Sequence, residues 1–327
     1  MVDVVVTTEF LFRLDGPYAE RLREAGFGVR YPERPNPCGE AETIEAVRGA
    51  SAVIAGSEPY SDRVLDALPG LRVISRHGVG YDAVDVPAAT RRGVAVAITP
   101  DGNHEAVAEH TIALLLAVTR EIERVSGQVR RGEWPRYLPR ALRGSTLGLV
   151  GLGRIGRSVA IRAAAFRMKL LAFDVAPDLE FGRAHGIEWV DLDTLLARSD
   201  YVSLHAPMGE KTQGMIHRRT LGLMKPGSVL LNTSRGGLIV EDDLVEALRS
   251  RRLAGAGLDV FAQEPLPATS GLRTLENVVL TPHVAGIDSV SRIEMPLQAA
   301  QNIIDLHRGV WPEGKVVNAQ LRSSWKW

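Results

Sequence analysis

Cysteine is nearly absent from this chain, with only Cys38 among 327 residues. One thiol cannot close an intramolecular disulfide, so a disulfide scaffold is excluded and a reducing, cytoplasmic setting is expected. Cys38 falls in the Pro/Asn/Gly-rich stretch Pro35 to Gly39, which reads as a surface loop. Long hydrophobic runs are missing too. The longest, Ile112 to Val118, is far short of the ~20 residues that cross a bilayer, so a soluble protein with no membrane partner is expected. The N-terminus, Met1-Val2-Asp3-Val4-Val5-Val6-Thr7, carries no basic segment before its short apolar run and reads as a first strand rather than a secretion signal. Neither sign of charge prevails, because 39 Lys and Arg cancel 39 Asp and Glu. Nothing recruits nucleic acid, although a local basic cleft could still hold a small anion. His104, His110, His185, His205, His217 and His307 show no ligand spacing, so no metal is expected.

What is present is the material of a globular α/β protein. An apolar fraction of 45% with 24% charged residues excludes a disordered chain and allows a sizeable core. The length is about twice the ~150-residue guide for one domain, so two are expected. Short β-branched runs bounded by Gly, Pro, Asp or Asn alternate with segments of helical spacing, which predicts parallel sheets built from βαβ units. A first series has strands at Val2 to Val6, Val29 to Tyr31, Ala52 to Ala55, Val73 to Ser75 and Val94 to Ile98. Glu105 to Val125 then reads as one long linking helix. A second series has strands at Leu147 to Val150, Leu170 to Phe173, Tyr201 to Leu204, Val229 to Asn232, Ala256 to Asp259 and Val278 to Leu280. The helix expected over Val290 to Leu306 returns to the first unit and makes it discontinuous.

The second series opens on Gly151-Leu152-Gly153-Arg154-Ile155-Gly156, between an apolar strand and a helix. Gly151 permits the tight turn, Gly153 lets backbone approach a pyrophosphate, and Gly156 lets helix and strand pack closely, while the helix N-terminus offers N–H groups to the anion. Asp174 closes the next strand. There a carboxylate accepts both ribose hydroxyls and repels a 2′-phosphate, so NAD is favoured over NADP. Arg154 suits a pyrophosphate contact and a solvated helix start equally well.

From here the chain resembles the D-isomer-specific 2-hydroxyacid dehydrogenases, and among them the members similar to phosphoglycerate dehydrogenase. The resemblance rests on Arg76 to Asp85, Gly151 to Gly156, Leu231 to Gly237, Leu258 to Pro265 and Thr281 to Gly286. It implies a Rossmann NAD-binding domain, residues 102–287, inserted into a smaller flavodoxin-like substrate-binding domain, residues 1–101 and 288–327. In this family the active site lies in the cleft between the two, and a homodimer forms through the cofactor domains, here with Trp134 to Arg143 as the candidate contact.

The residues matching the family's catalytic set have chemistry that stands by itself. Arg235, after a strand end, can clamp the carboxylate and carbonyl of a 2-oxo acid through two parallel N–H bonds that lysine cannot match. His283 can protonate the carbonyl oxygen as hydride arrives, and neutral His283 can remove the hydroxyl proton in reverse. Glu264 is expected to hold the other ring nitrogen and favour the charged imidazole. The glycines around Val79, Gly78 and Gly80, are expected to turn consecutive N–H groups toward a substrate carboxylate, with His77 and Arg76 bordering this nest. Asp259 resembles the position that hydrogen-bonds the nicotinamide carboxamide, and Ile155, Ala206, Pro207, Thr233, Ser234 and Gly286, with Arg235 and His283, match cofactor-lining positions.

Departures narrow the substrate. Phosphoglycerate-using members carry basic residues in the loop after the third strand, where this chain has Gly56-Ser57-Glu58-Pro59. A carboxylate there is expected to repel a substrate phosphate. The length leaves no room for the C-terminal regulatory domains of longer phosphoglycerate dehydrogenases, so serine feedback is not expected. An unphosphorylated 2-oxo acid such as hydroxypyruvate or glyoxylate is favoured, with 3-phosphoglycerate the alternative. Formate dehydrogenases pair their histidine with glutamine, against which Glu264 argues. A different class of answer is an NADH-sensing corepressor of the same architecture.

Overall fold

The structure, a computed structural model, describes residues 2–34, 37 and 39–327, so Cys38 lies outside it. Two compact units divide the chain, one comprising Met1–Asn103 with Ile287–Trp327 and the other His104–Gly286. Among the described residues the strands form two all-parallel sheets.

In the first unit, β1 (Val2–Val6), β2 (Phe27–Arg30), β3 (Ala52–Ala55), β4 (Val73–Arg76) and β5 (Ala95–Ala97) pair in the order β2-β1-β3-β4-β5. Val4, Val5 and Val6 are all fully buried because helices cover both faces, and for this reason the strand reads as a continuous apolar run instead of alternating. One face packs on helices Pro17–Glu24 and Ser291–His307 through Tyr18, Leu22, Ala299, Ile303 and Ile304. The other packs on Val47, Val64, Leu65 and Ala88. Each isoleucine buried in this way contributes about 2 kcal/mol, so the C-terminal helix is a stabilising part of this unit.

In the second unit, β6 (Thr146–Val150), β7 (Lys169–Phe173), β8 (Ile187–Trp189), β9 (Tyr201–Leu204), β10 (Ser228–Asn232), β11 (Leu253–Leu258) and β12 (Val278–Leu280) run in the order β12-β11-β10-β9-β6-β7-β8. The order reverses between β6 and β9, and a crevice at the carboxyl ends of such strands is where open α/β sheets hold ligands.

Three expectations change. The linking helix is broken. It runs His104–Thr119 and restarts as Ile122–Arg130, with Glu121 at φ 48° in the left-handed region. The first piece buries Ile112, Leu114 and Leu115, whereas the second buries none of its residues, so no core surface requires one continuous axis. The short helix Leu179–Ala184 and the strand Ile187–Trp189 were not expected, because a three-residue strand carries no legible periodicity. Among the described residues, no helix is long and apolar enough to cross a membrane, and no cluster of three or more His, Cys, Asp or Glu could hold a metal.

Candidate active site

The dinucleotide loop has the packing that its glycines suggest. A Cβ at Gly151, which has φ 93°, would lie 2.8 Å from the carbonyl carbon of His205, and one at Gly156 would lie 2.3 Å from the Gly151 oxygen. Both contacts are with backbone, so no side chain fits and helix Arg154–Ala165 starts directly against the end of β6. At Gly153, by contrast, an added Cβ would meet nothing within 4 Å, which leaves the turn open on that side for a phosphate to approach. Arg154 is exposed at the helix start, Ile155 half-buried. Asp174 is fixed at the end of β7, where Oδ2 accepts the Leu152 N–H at 2.7 Å and Oδ1 the Ala176 N–H at 2.9 Å. Each oxygen keeps a lone pair for a ribose hydroxyl.

Across the reversal point, Ala206 is buried and Pro207 exposed just after β9. Ser234 donates to the Ala206 carbonyl at 2.6 Å, and Thr233 shares a 2.8 Å hydrogen bond with Thr111. These contacts join the ends of β9 and β10 to the long helix. His205 is held neutral by burial, which pushes it down to about 4, and its ring lies 2.9 Å from the Ser203 hydroxyl.

Arg235, Glu264 and His283 all belong to this unit. His283 Nδ1 lies 2.6 Å from Glu264 Oε2, while Glu264 Oε1 accepts the Phe261 N–H at 3.0 Å. Burial raises the Glu264 carboxyl, but the hydrogen bond and charge of His283, the Phe261 N–H and the charge of Arg235 outweigh it and leave it below the usual range. Glu264 is therefore ionised at neutral pH and keeps a proton on Nδ1, which leaves Nε2 as the ring atom able to exchange a proton with a ligand. Arg235 extends from β10 with its carbonyl bonded by the Asn232 side-chain amide at 2.8 Å and with Nη1 on the Ser234 carbonyl at 2.6 Å. Its neighbour Gly236 is pressed against the Phe261 backbone, and a Cβ there would lie 1.9 Å from the Phe261 carbonyl carbon. The Arg235 turn and the turn bearing Glu264 thus touch main chain to main chain. Asp259 is fully buried and accepts the N–H groups of Val284 and Ala285, at 3.0 and 2.8 Å. Gly286 follows, half-buried.

His77, Gly78, Val79 and Gly80 belong to the other unit, at the end of β4. The Gly78 N–H already donates to the Thr99 hydroxyl at 2.9 Å, which differs from the expected donor open to an anion. Thr99 was not singled out in the sequence, since a threonine at a strand end carries no signal of such a bond. Among the described residues no acceptor meets the N–H groups of Val79 and Gly80, so the nest reduces to that pair. Arg76 Nε holds the turn through the Gly80 carbonyl at 2.9 Å. Burial and the adjacent Arg76 charge push His77 down to about 4, so it is neutral and adds no charge for an anion. Glu58, expected to repel a substrate phosphate, does not present an open carboxylate. It is buried, with Oε1 accepting from Thr7 at 2.5 Å and Tyr60 at 2.7 Å, and only Ser57 of its loop faces outward.

Residues 112–285 match the D-isomer specific 2-hydroxyacid dehydrogenase NAD binding domain. A glyoxylate reductase of Korarchaeum cryptofilum is 41% identical over 280 residues, covering 84% of each chain. A D-3-phosphoglycerate dehydrogenase of Synechocystis is 40% identical over 85% of this chain but only 50% of its own length, so the chain spans about half of that relative. The crystal structure of the TT0316 protein from Thermus thermophilus superposes with a TM-score of 0.87 at 38% identity, covering 97% of this chain and all of that one. With the glycine loop, Asp174 and the Arg235, Glu264 and His283 set all inside the matched segment, the chain belongs to the D-isomer-specific 2-hydroxyacid dehydrogenases, NAD-dependent oxidoreductases acting on CH–OH groups.

Proposed function

We propose that this chain reduces a small unphosphorylated 2-oxo acid, of the glyoxylate or hydroxypyruvate kind, with His283 as the acid/base. The observation that carries the reaction is the 2.6 Å pairing of His283 with ionised Glu264, which leaves Nε2 as the proton donor. The reduced nicotinamide, when bound, supplies the hydride to the carbonyl carbon. Charged His283 gives its Nε2 proton to the carbonyl oxygen, so oxo acid, NADH and one proton become hydroxy acid and NAD+. Arg235 holds the carboxylate and polarises the carbonyl. The Val79 and Gly80 N–H pair is assigned to the substrate carboxylate in the same reading. The absence of Lys or Arg from residues 56–59 supports an unphosphorylated substrate, since that loop offers no cation to a phosphate. The naming of the Korarchaeum relative points the same way.

The test is NADH oxidation against glyoxylate, hydroxypyruvate, pyruvate and 3-phosphohydroxypyruvate, repeated with NADPH. The expected order puts glyoxylate or hydroxypyruvate first and NADH at least about tenfold ahead of NADPH, because Asp174 repels the extra phosphate. A preference for 3-phosphohydroxypyruvate would overturn the substrate assignment, and inactivity on all four would favour the corepressor reading.

The same reading includes a cytoplasmic homodimer. Helix Ile122–Arg130 leaves Ile122 and Val129 about half exposed, and the following arm exposes Trp134 at 78% and Leu138 at 97%. Large apolar side chains exposed along one helix and the arm after it suit a subunit contact. Light scattering is expected to give twice the 35.5 kDa chain mass, and Leu138→Asp to shift it toward the monomer. A wild-type monomer at micromolar concentration would remove the dimer.

A further inference from the structure

His283 adopts φ 55°, a left-handed conformation that a residue with a side chain keeps only when its surroundings hold it there. Most of the holding comes from Asp259. Its main-chain oxygen accepts the His283 N–H at 2.8 Å. Its carboxylate accepts the Thr281 hydroxyl at 2.6 Å and the Val284 N–H at 3.0 Å on Oδ1, and the Ala285 N–H at 2.8 Å on Oδ2. Apart from Pro282, which has no N–H to give, each residue from Thr281 to Ala285 is therefore tied to Asp259.

The direction of these bonds identifies what stands behind the carboxylate. A threonine hydroxyl has one hydrogen, and the Asp259 carboxylate, having none to offer, takes it. His110 Nε2 lies 2.9 Å from the same hydroxyl oxygen and must then be the donor. The same nitrogen stands 3.6 Å from Asp259 Oδ1. The chain of donors runs one way, from His110 through Thr281 to Asp259, and it requires a hydrogen on His110 Nε2. His110 lies on helix His104–Thr119, 171 residues before Thr281 in the chain, and its side chain is 24% exposed. The hydrogen bond makes the helix a brace for the catalytic turn. None of the sequence motifs includes it.

We propose that His110 is a positioning residue for the acid/base step: by donating to Thr281 it directs that hydroxyl into Asp259, whose carboxylate holds the turn that aims His283. The proposal rests on the reading of His283 as acid/base. It predicts a larger loss in the chemical step than in binding, because His110 acts on the turn that aims His283, and only the nicotinamide end of the expected cofactor contacts, at Asp259 and His283, shares that network. His110→Leu keeps the apolar bulk on the helix but donates nothing, whereas His110→Gln retains an N–H donor on a side chain of similar reach.

The experiment compares wild type, His110→Leu, His110→Gln and His283→Ala in NADH-driven reduction of glyoxylate and hydroxypyruvate, with NADH binding followed by fluorescence and amide exchange measured over residues 278–290. His110→Leu is expected to lose about tenfold in kcat, a displacement effect, with the NADH Kd changed by less than about threefold, the melting temperature unchanged and faster exchange at 283–285. His110→Gln is expected to recover most of the rate and the protection. Wild-type kcat and exchange in His110→Leu would overturn the proposal, as would a His110→Gln variant no better than leucine. Retained activity in His283→Ala would instead overturn the reading on which it rests, and the exchange data decide the brace independently of turnover.

Discussion

His283→Ala is expected to lower kcat for 2-oxo acid reduction by roughly two to four orders of magnitude, the usual worth of a positioned general acid, while the NADH Kd changes by less than about twofold. The variant removes the ring nitrogen that faces away from Glu264 and leaves that acid with the Phe261 N–H as its remaining neutral partner. The loop at Gly151 to Gly156 and Asp174 is untouched, so cofactor binding is retained. The backbone at this position needs a control, because φ 55° is strained for alanine as well as for histidine. Asparagine tolerates the left-handed region better than other side chains, so His283→Asn separates the two causes. Equal losses in both variants locate the defect in proton transfer. A rate within tenfold of wild type in either would remove His283 from the chemistry.

Gly236→Ala is expected to be nearly as damaging, for a steric reason. The added Cβ would lie 1.9 Å from the Phe261 carbonyl carbon and 2.0 Å from its oxygen. Both are backbone atoms in the segment that leads to Glu264, so relief requires the two turns to separate. Overpacking against main chain costs about 3 kcal/mol or more, which lowers the melting temperature by roughly 6–12 °C for a unit of this size. Turnover falls as well, because Arg235 lies on one side of the contact and Glu264 on the other. The adjacent glycine provides the comparison. A Cβ at Gly237 meets the Met208 methyl at 2.4 Å, the far end of a flexible side chain that can swing aside. Gly237→Ala is therefore expected to cost less than about 1 kcal/mol. Thermal melts of the two variants check the difference, and equal melting temperatures would contradict the close-approach argument.

The two series of βαβ units were legible because buried parallel strands read as short apolar runs, as in Val2 to Val6 and Leu147 to Val150. The catalytic candidates were legible for another reason: Arg235, Glu264 and His283 sit inside motifs that resemble a family's, in the loops after β10, β11 and β12. The break at Glu121 was not legible. Helical propensity continues on both sides of it, and only the end of the buried face at Thr119 explains the change of axis. Glu58 misled for a related reason. A glutamate in a turn reads as exposed, and the buried hydroxyls of Thr7 and Tyr60 that receive it are 51 and 2 residues away.

The sequence by itself determined the class of fold and offered the glycine loop and Asp174 through local spacing along strand, turn and helix, whereas the candidate catalytic side chains came from the resemblance of whole motifs. Tertiary structure alone decided which N–H groups of the Gly78 to Gly80 turn remain open, that Gly236 must be glycine, and that Asp259 and His110 stand behind His283. These are contacts between segments distant in sequence, and a hydrogen bond spanning 171 residues leaves no periodic trace in either of the segments it joins.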